Sequence, residues 1–539
     1  MEEFTEEEKN ILSPFFTNLD KPVFVLKNLP EVVMGALFSR YSRSPKSLRR
    51  LLLDEFINDQ GSGFREITSH AKETGQEQLI AIKKAEEFYD RVLVGYGDDS
   101  VAELGGAHIA CEGISNIASK VLEDARIGIS PLEKSTRYVF FDDKAHGKYK
   151  YYRDPEIIES KHIELYEETC DMLFDAYSGL VEPMKKFVME KFPLEEGTSE
   201  RAYKSTVKAK ACDVLRGLLP AAALTNVGLY GNGRAFEYLI TKMYSYPLRE
   251  SRELAGEMHS ELLSSIPSFV KRATGQYGNP TISFLRETRE AMQKTAVELL
   301  GKEKASETKG VELIEYDQDA EEKVLSAALY PFLHLPLKQV KEKIKRMGKK
   351  QRQRIIRECL QRRENRRHKP GRAFENTYYT FDILANYGAF RDLHRHRLLT
   401  QERQDLTTRH GYTMPVEITE IGAEQGFREA MQQAKNAFET IEKELPKQAQ
   451  YIVPLAYKIR WYFKMSLREV YYLCELRSTQ QGHPDYRKIA QEMFRQVQKA
   501  HPSLAEYMKF VDLKEYALER LEAEKRTDKK IAEIEKKRP

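Results

Sequence analysis

Apolar and polar positions follow two rhythms along this chain, and each rhythm occurs in both halves. Residues 311–316 alternate with period two, as a half-buried strand requires, and 317–328 then shift to helical spacing. Near the start, the apolar run 23–26 followed by the helical stretch 29–41 predicts the same strand-then-helix opening. Deeper in each half, 107–113 and 378–385 read as strands, with short helices over 115–125 and 387–397. Apolar residues three or four apart predict longer helices over 234–243, 248–265, 427–442, 467–477 and 484–500. Residues 513–537, rich in Lys and Glu, predict a solvated helix that frays into a tail. The charged, glycine-containing stretch 301–310 is the linker by composition. The pattern therefore predicts two tandem domains, 1–305 and 306–539, each combining strands with long helices.

Composition fits that division. A chain of 539 residues is too long for one compact core, and 41% hydrophobic residues can fill two. With 32% charged residues and a net charge of only +4, it reads as globular rather than disordered. No apolar run approaches the roughly 18 to 20 residues that span a bilayer, and the acidic start is unlike a signal peptide, so a cytoplasmic protein is expected. Cys111, Cys170, Cys212, Cys359 and Cys474 are scattered without metal-ligand spacing; buried thiols and no metal site are expected. Residues 349–372 form a basic segment that either solvates a helix face or attracts anions. No RNA-binding motif accompanies it, which ranks nucleic acid last among partners.

Internal correspondence supports a duplication. An offset of 272 carries Glu103 to Glu375, Thr136 to Thr408 and Arg137 to Arg409, with Glu133/Asp405 and Ser135/Thr407 as conservative pairs. Pro220 and Arg234 match Pro454 and Arg468 at an offset of 234, so the first half carries 38 more residues, placed within 144–208.

Two clusters could carry chemistry. Arg395-His396-Arg397 puts three cationic groups at a predicted helix end, beside apolar Phe390 and Leu393. Helix-dipole compensation accounts for such a cluster at about 0.3 to 1 kcal/mol per cation. Arginines in a core-facing setting need anionic partners, and a phosphate or diphosphate matches their planar fork of donors. Glu133, Ser135 and Arg137 would share one face if their segment is extended, offering a carboxylate, a hydroxyl and a guanidinium. An ordinary polar strand face with an internal Glu–Arg pair reads the same way.

These two clusters carry a family resemblance. Phe374-Glu375-Asn376 through Ile383, followed by Arg395-His396-Arg397, resembles the F-E-H-x-x-F-T-F-x-I…R-H-R block of the flavin-dependent thymidylate synthases. In the first half, Ser100, Glu103, Gly113, Ser115 and Glu133 to Tyr138 resemble that family's S…E-x-S-x-R-Y elements, while Glu123-Asp124-Ala125 stand where R-H-R belongs. Arg216 to Pro220 resembles its R-x-x-L-P motif, Asn232-Gly233-Arg234 its N-x-R motif, and Arg477 its late arginine. Two departures stand out: Asp392 occupies the place of a base-contacting Gln, and Met243 and Gln450 replace arginines of the reciprocal set.

The resemblance implies an α+β pseudo-dimer of two ThyX-like repeats, each a mixed or antiparallel sheet packed with long helices, with one composite site per chain, the reciprocal site being dead. It implies FAD as cofactor, with dUMP, methylenetetrahydrofolate and NADPH as substrates and dTMP as product. Ser100, Asn232, Arg234, Arg395, His396 and Arg397 are then expected to hold FAD. Glu133, Ser135, Arg137, Arg216, Arg395 and Arg477 are expected to bind the nucleotide, with Arg395, Arg137, Ser135 and Arg477 taking part in catalysis. Ser135 has no evident general base and is expected to bind rather than attack. Two such chains would pair as a homodimer mimicking the family's tetramer. Asp392 keeps two other readings open: a flavin enzyme acting on another nucleotide or folate, and a degenerate FAD- or nucleotide-binding protein without catalysis.

Overall fold

A computed structural model of the chain describes residues 3–58, 101–306 and 310–536. Among them the strands are, in chain order, β1 (Gly106–Ser115), β2 (Ile129–Glu133), β3 (Lys144–Ala145), β4 (Lys148–Tyr149), β5 (Leu224–Asn232), β6 (Val311–Tyr316), β7 (Tyr378–Asn386), β8 (Leu399–Arg403) and β9 (Lys458–Ser466). The chain packs into two compact units. The first contains Met1–Ile114, Ala118–Glu133 and Thr225–Glu303; the second contains Ser115–Ile117, Lys134–Leu224 and Lys304–Pro539. Packing units and sequence halves therefore differ, because residues 134–224 of the first half fold with the second.

The first unit is built on a sheet of order β1-β5-β2, with β2 and β5 antiparallel from Ile129 opposite Gly231 to Glu133 opposite Val227. Strand β5 buries Thr225, Val227 and Leu229 and turns Asn226, Gly228 and Tyr230 outward, the alternation of a half-buried strand. Phe236, Leu239 and Met243, on helix Gly233–Tyr244, share one buried core with Leu37, Leu52 and Phe56. The opening 23–26 is not a strand. Only Leu26 forms an isolated bridge, to Phe16, while Val23 and Val25 are exposed. Pro22 and the positive-φ Asn28 bracket a run too short to find a pairing partner.

The second unit holds an antiparallel sheet of order β6-β7-β9-β8. Strands β7 and β9 pair along their whole length, from Tyr378 opposite Ser466 to Asn386 opposite Lys458. Tyr379, Phe381, Ile383, Trp461, Phe463 and Met465 are buried on this pair. Helix Leu467–Arg477 leaves β9 directly, capped by Ser466, and packs with helix Pro484–Ala500. Helix Ile163–Lys191, 29 residues, lies within 144–208, the stretch in which the sequence places the extra residues; the second half has the 18-residue helix Glu424–Ile441.

Corresponding segments of the two halves meet inside this unit with mirrored hydrogen bonds. Pro220 bridges Pro454. The Ala221 amide donates to the Val453 carbonyl and the Leu455 amide to that of Leu219; likewise Ala222 donates to Tyr451 and Ala456 to Gly217. Each bond maps onto its pair by the offset of 234, so a local two-fold relation passes through the Pro220–Pro454 bridge. A Cβ on Gly217 would lie 3.2 Å from that of Ala456, which shows how closely the segments cross.

Four of the five cysteines are buried, whereas Cys359 is exposed. It falls on the outer side of the basic helix Lys349–Leu360, which buries only Ile356 and Leu360.

Candidate active site

The short helix Tyr387–Leu393 continues from β7, with the Asn386 side chain accepting the Ala389 amide as an N-cap. Tyr387, Gly388, Ala389, Phe390, Arg391 and Leu393 are buried, and Phe390 packs on the indole of Trp461 at 5.2 Å. Asp392 alone on this helix is half-buried. Arg395, His396 and Arg397 follow in the turn toward β8, so the helix ends two residues before the triplet that sequence spacing had placed on it. Arg395 is half-buried and Arg397 exposed.

A network of arginines surrounds Asp392. Its Oδ2 accepts from Nη1 of Arg216 at 2.9 Å. Burial alone would raise its pKa, but Arg216, Arg137, Arg395 and Arg477 overcome that and hold the carboxyl well below the usual range, ionised. Residues from both sequence halves thus converge within the second unit. Arg137 is fully engaged by the protein. It forms a bidentate pair with Asp213 at 2.7 Å on both arms, donates to the Tyr486 hydroxyl at 3.0 Å and to the Gln481 carbonyl at 3.3 Å. Four of its five N–H groups are therefore used.

Arg216 and Arg477 are different. Arg216 is buried, and its Nη2 has no hydrogen-bond partner among the described residues. It lies flat over Gly388, where an added Cβ would sit 3.2 Å from Nε and Nη2. Arg477 donates through Nε to Nε2 of His396 at 2.9 Å, which leaves its terminal nitrogens facing outward from that bond. Both Arg137 and Arg477 lie over the ring of Tyr486, at 5.6 and 5.7 Å. Three guanidinium groups, Arg137, Arg216 and Arg477, face two carboxylates, Asp213 and Asp392, and Arg395 adds its field. A surplus of positive charge in a buried setting calls for an anion.

His396 holds Arg477 in place. Its ring is buried; Nε2 accepts from Arg477 and Nδ1 lies 2.7 Å from Oε1 of Glu469. Burial, with Arg477 and Lys369 nearby, drives its pKa well below the ordinary histidine value, so the ring is neutral. The assigned tautomer carries the proton on Nδ1 and donates to Glu469. Burial pushes the Glu469 carboxyl up to about 8. Both ring nitrogens of His396 are used internally, so the ring has none left for a cofactor.

A cavity of about 300 Å³ opens on Arg216, with Lys210 and Lys488 and the carboxylates Asp213, Glu417 and Asp485 also in its walls, beside Asn386, Gly388, Leu455 and His483. His483 lies with Nε2 3.1 Å from the Asp213 carbonyl while its Nδ1 accepts the Asp485 amide, fixing that ring too. Asp213, Tyr486 and His483 escaped the sequence reading. Asp213 lies three residues before Arg216 on consecutive helical turns, and that spacing was the available signal for Asp213.

The remaining expected residues lie elsewhere. The extension assumed for residues 133–137 stops at Glu133, where β2 ends, and 136–138 turn. Ser135 accepts the Arg137 amide at 3.2 Å in that turn. Glu133 belongs to the first unit, buried, accepting from Ser119 and Lys120 at 2.9 Å each. Asn232 caps helix Gly233–Tyr244 there, and exposed Arg234 pairs with Glu103 at 2.8 Å. Ser100 lies outside the described residues.

The offset of 272 places Lys120 opposite Asp392 and Glu123 opposite Arg395. The charges are inverted. Lys120 is fully buried and bonded to both Glu123 and Glu133. In the second half, Arg409 pairs with Glu442 at the surface, Asp405 with Lys447, and Gln450 accepts the Leu406 amide.

The sequence profile of a family described as thymidylate synthase complementing protein matches residues 58–268 and again 312–503. A UPF0159 protein of Chlamydia pneumoniae is 45% identical over 98% of both chains. Another from Chlamydia muridarum is 44% identical over 97% of this chain and 98% of its own. A UPF0159 protein of Thermoplasma acidophilum is 35% identical, covering 93% of this chain and 99% of its own.

Proposed function

Because the chain belongs to the thymidylate synthase complementing protein family, and carries the matching region twice, we propose that it makes dTMP from dUMP at one composite site per chain. The observation that carries this reading is the convergence of Arg137 and Arg216 from the first half with Asp392, Arg395 and Arg477 from the second. Methylenetetrahydrofolate would supply the carbon and NADPH the hydride.

The donor set fits the flavin in part. Arg395 and Arg397, in the turn after the helix, suit a diphosphate, whereas His396 is committed to Arg477 and Glu469. FAD, when bound, supplies the electron-transfer chemistry that no side chain can. Asn232, Arg234 and Ser100 remain candidates for holding it by family resemblance.

The chain's own groups bind and polarise. Arg216 and Arg477 have donors to offer an anion, and their field stabilises negative charge as it develops on a pyrimidine ring. Arg137, bonded through four of its five N–H groups to Asp213, Tyr486 and Gln481, positions the site. Ser135, half-buried in the turn beside Arg137, is the further nucleotide contact, whereas Glu133 is committed to Ser119 and Lys120 in the first unit. Arg216 is buried beside a 300 Å³ cavity, and burial keeps its interactions in a medium where they are stronger than in water.

The test is direct. Full-length protein incubated with FAD, NADPH, methylenetetrahydrofolate and dUMP should form dTMP, read by chromatography, and the chain should restore thymidine-free growth to a strain lacking thymidylate synthase. Asp392 favours a second reading, a flavin enzyme for another nucleotide. Bound FAD that NADPH reduces, with no dTMP formed, would select that reading instead.

A further inference from the structure

None of the residues assigned to the nucleotide or the flavin comes from the basic segment. Residues 338–372 hold sixteen Lys and Arg against three Glu, whereas the whole chain has a net charge of only +4. The segment is docked onto helix Leu467–Arg477, the helix that ends in Arg477 of the site. Buried Arg363 forms a bidentate pair with Glu475 of that helix and donates to the Tyr507 carbonyl at 2.8 Å, and Arg468 donates to the Pro370 carbonyl at 2.8 Å. One cation is thus used inside to fix the segment. Arg352, Arg362 and Arg372 are paired with Glu321, Glu358 and Glu375. Lys343, Lys349, Lys350, Arg367 and Lys369 are exposed, and their side chains pair with no carboxylate among the described residues. At its inner end the segment reaches the site. Lys369 Nζ lies 4.0 Å from the centre of the Tyr472 ring, and Tyr472 packs edge-on against His396 at 5.4 Å.

We propose that this surface binds an oligo-γ-glutamate tail on the folate: the carboxylates beyond the first glutamate lie along Lys369, Arg367 and helix Lys349–Leu360, outside the reacting centre. This rests on the reading of the site as one that takes methylenetetrahydrofolate. Glutamates added to a folate are joined through their side-chain carboxyls, so each one leaves a free carboxylate on a flexible chain. A row of separate, solvated cations suits such a chain, because each contact is weak and the sum depends on their number. Nucleic acid asks for more. Residues 338–372 contain no Phe, Tyr or Trp, so unpaired bases find no ring to stack on. Contacts to the tail are made equally before and during the reaction, so they lower KM and leave kcat alone. Being exposed, they are screened by salt.

The experiment measures dTMP formation by the full-length protein with monoglutamyl and pentaglutamyl methylenetetrahydrofolate as alternative substrates. At about 50 mM salt the pentaglutamyl form should have a KM at least about tenfold lower, the scale that four weak ion contacts reach together, with kcat the same within about twofold. At about 500 mM salt the ratio of the two KM values should fall below about threefold. The double variant Lys350→Glu, Arg367→Glu should shrink the low-salt ratio by at least about threefold. A merely structural effect would raise both KM values alike and leave their ratio unchanged. Should that variant fail to fold, the tail-length and salt comparison on wild type decides. Equal KM values for the two folates overturn the proposal while the dTMP reading stands. Absence of dTMP with either folate removes that reading, and this inference with it. Equal KM values together with inhibition by an oligonucleotide, relieved in the double variant, assign the surface to nucleic acid instead.

Discussion

Arg216 touches Asp392 with one nitrogen and holds another buried without a partner, so its environment in the absence of ligand is incomplete. Arg216→Ala should weaken dUMP binding by about 100-fold or more, the scale of a lost charge-assisted contact. Arg409→Ala, at the place in the second half that corresponds to Arg137, loses a pair with Glu442 and a contact with the Phe438 ring and should change dUMP affinity less than twofold. Calorimetry on the two variants separates them; equal losses would contradict the single-site reading. Gly388→Ala tests the same guanidinium from beneath. Its methyl would lie 3.2 Å from Nε and Nη2, so the variant should keep its melting temperature within a few degrees yet bind dUMP at least tenfold more weakly. Glu469 gives a pH signature. Its folded pKa, raised to about 8 by burial, exceeds its unfolded value, so its contribution to stability is full below about pH 4.5 and is lost as pH rises toward 8. Glu469→Gln removes that loss, and the difference in melting temperature between variant and wild type should grow in the variant's favour from pH 5 to pH 8.

Elements position these residues by simple continuity. Strand β7 runs into helix Tyr387–Leu393, and the Asn386 cap also donates to Asp485 at 2.6 Å, tying that helix to the start of helix Pro484–Ala500. Asn386→Ala should lower unfolding free energy by about 1–2 kcal/mol, measured in urea, through the lost cap and the lost bond. Where periodicity was long and uninterrupted, the elements were legible: β6, helix Leu467–Arg477 and helix Pro484–Ala500 match their sequence boundaries. The failures have local causes. The run at 23–26 is four consecutive apolar residues, too short to recruit a partner strand, and residues 136–138 turn where the Arg137 amide donates to the Ser135 hydroxyl. Within the site, the R-H-R triplet, Arg137 and Arg216 were visible as motifs. Their partners were not, since Asp213, His483 and Tyr486 are brought to them only by the fold. The protein's own engagement of Arg137 and His396 was equally hidden, because the letters of a motif do not say which donors are already used.

For the whole molecule, the two halves share a pattern but not a chemistry. The first-half counterparts of Asp392 and Arg395 are Lys120 and Glu123, and buried Lys120 pairs with both Glu123 and Glu133. One dUMP per chain is therefore the expected stoichiometry, and calorimetric titration giving two equivalent sites would refute it. Among the described residues no helix is long and apolar enough to cross a membrane.

The bridge between Pro220 and Pro454, with its mirrored bonds, shows two related segments that still greet each other as identical subunits would. Identical subunits share one gene, so a carboxylate introduced beside one partner's ligand is introduced beside the other's as well. Joining the copies in a single chain ends that obligation. Position 392 could become acidic while position 120 became basic, each answering only to its own neighbours. The symmetric seam is thus the record of a constraint, and the opposite charges at positions 120 and 392 are what became permissible once the constraint was lifted.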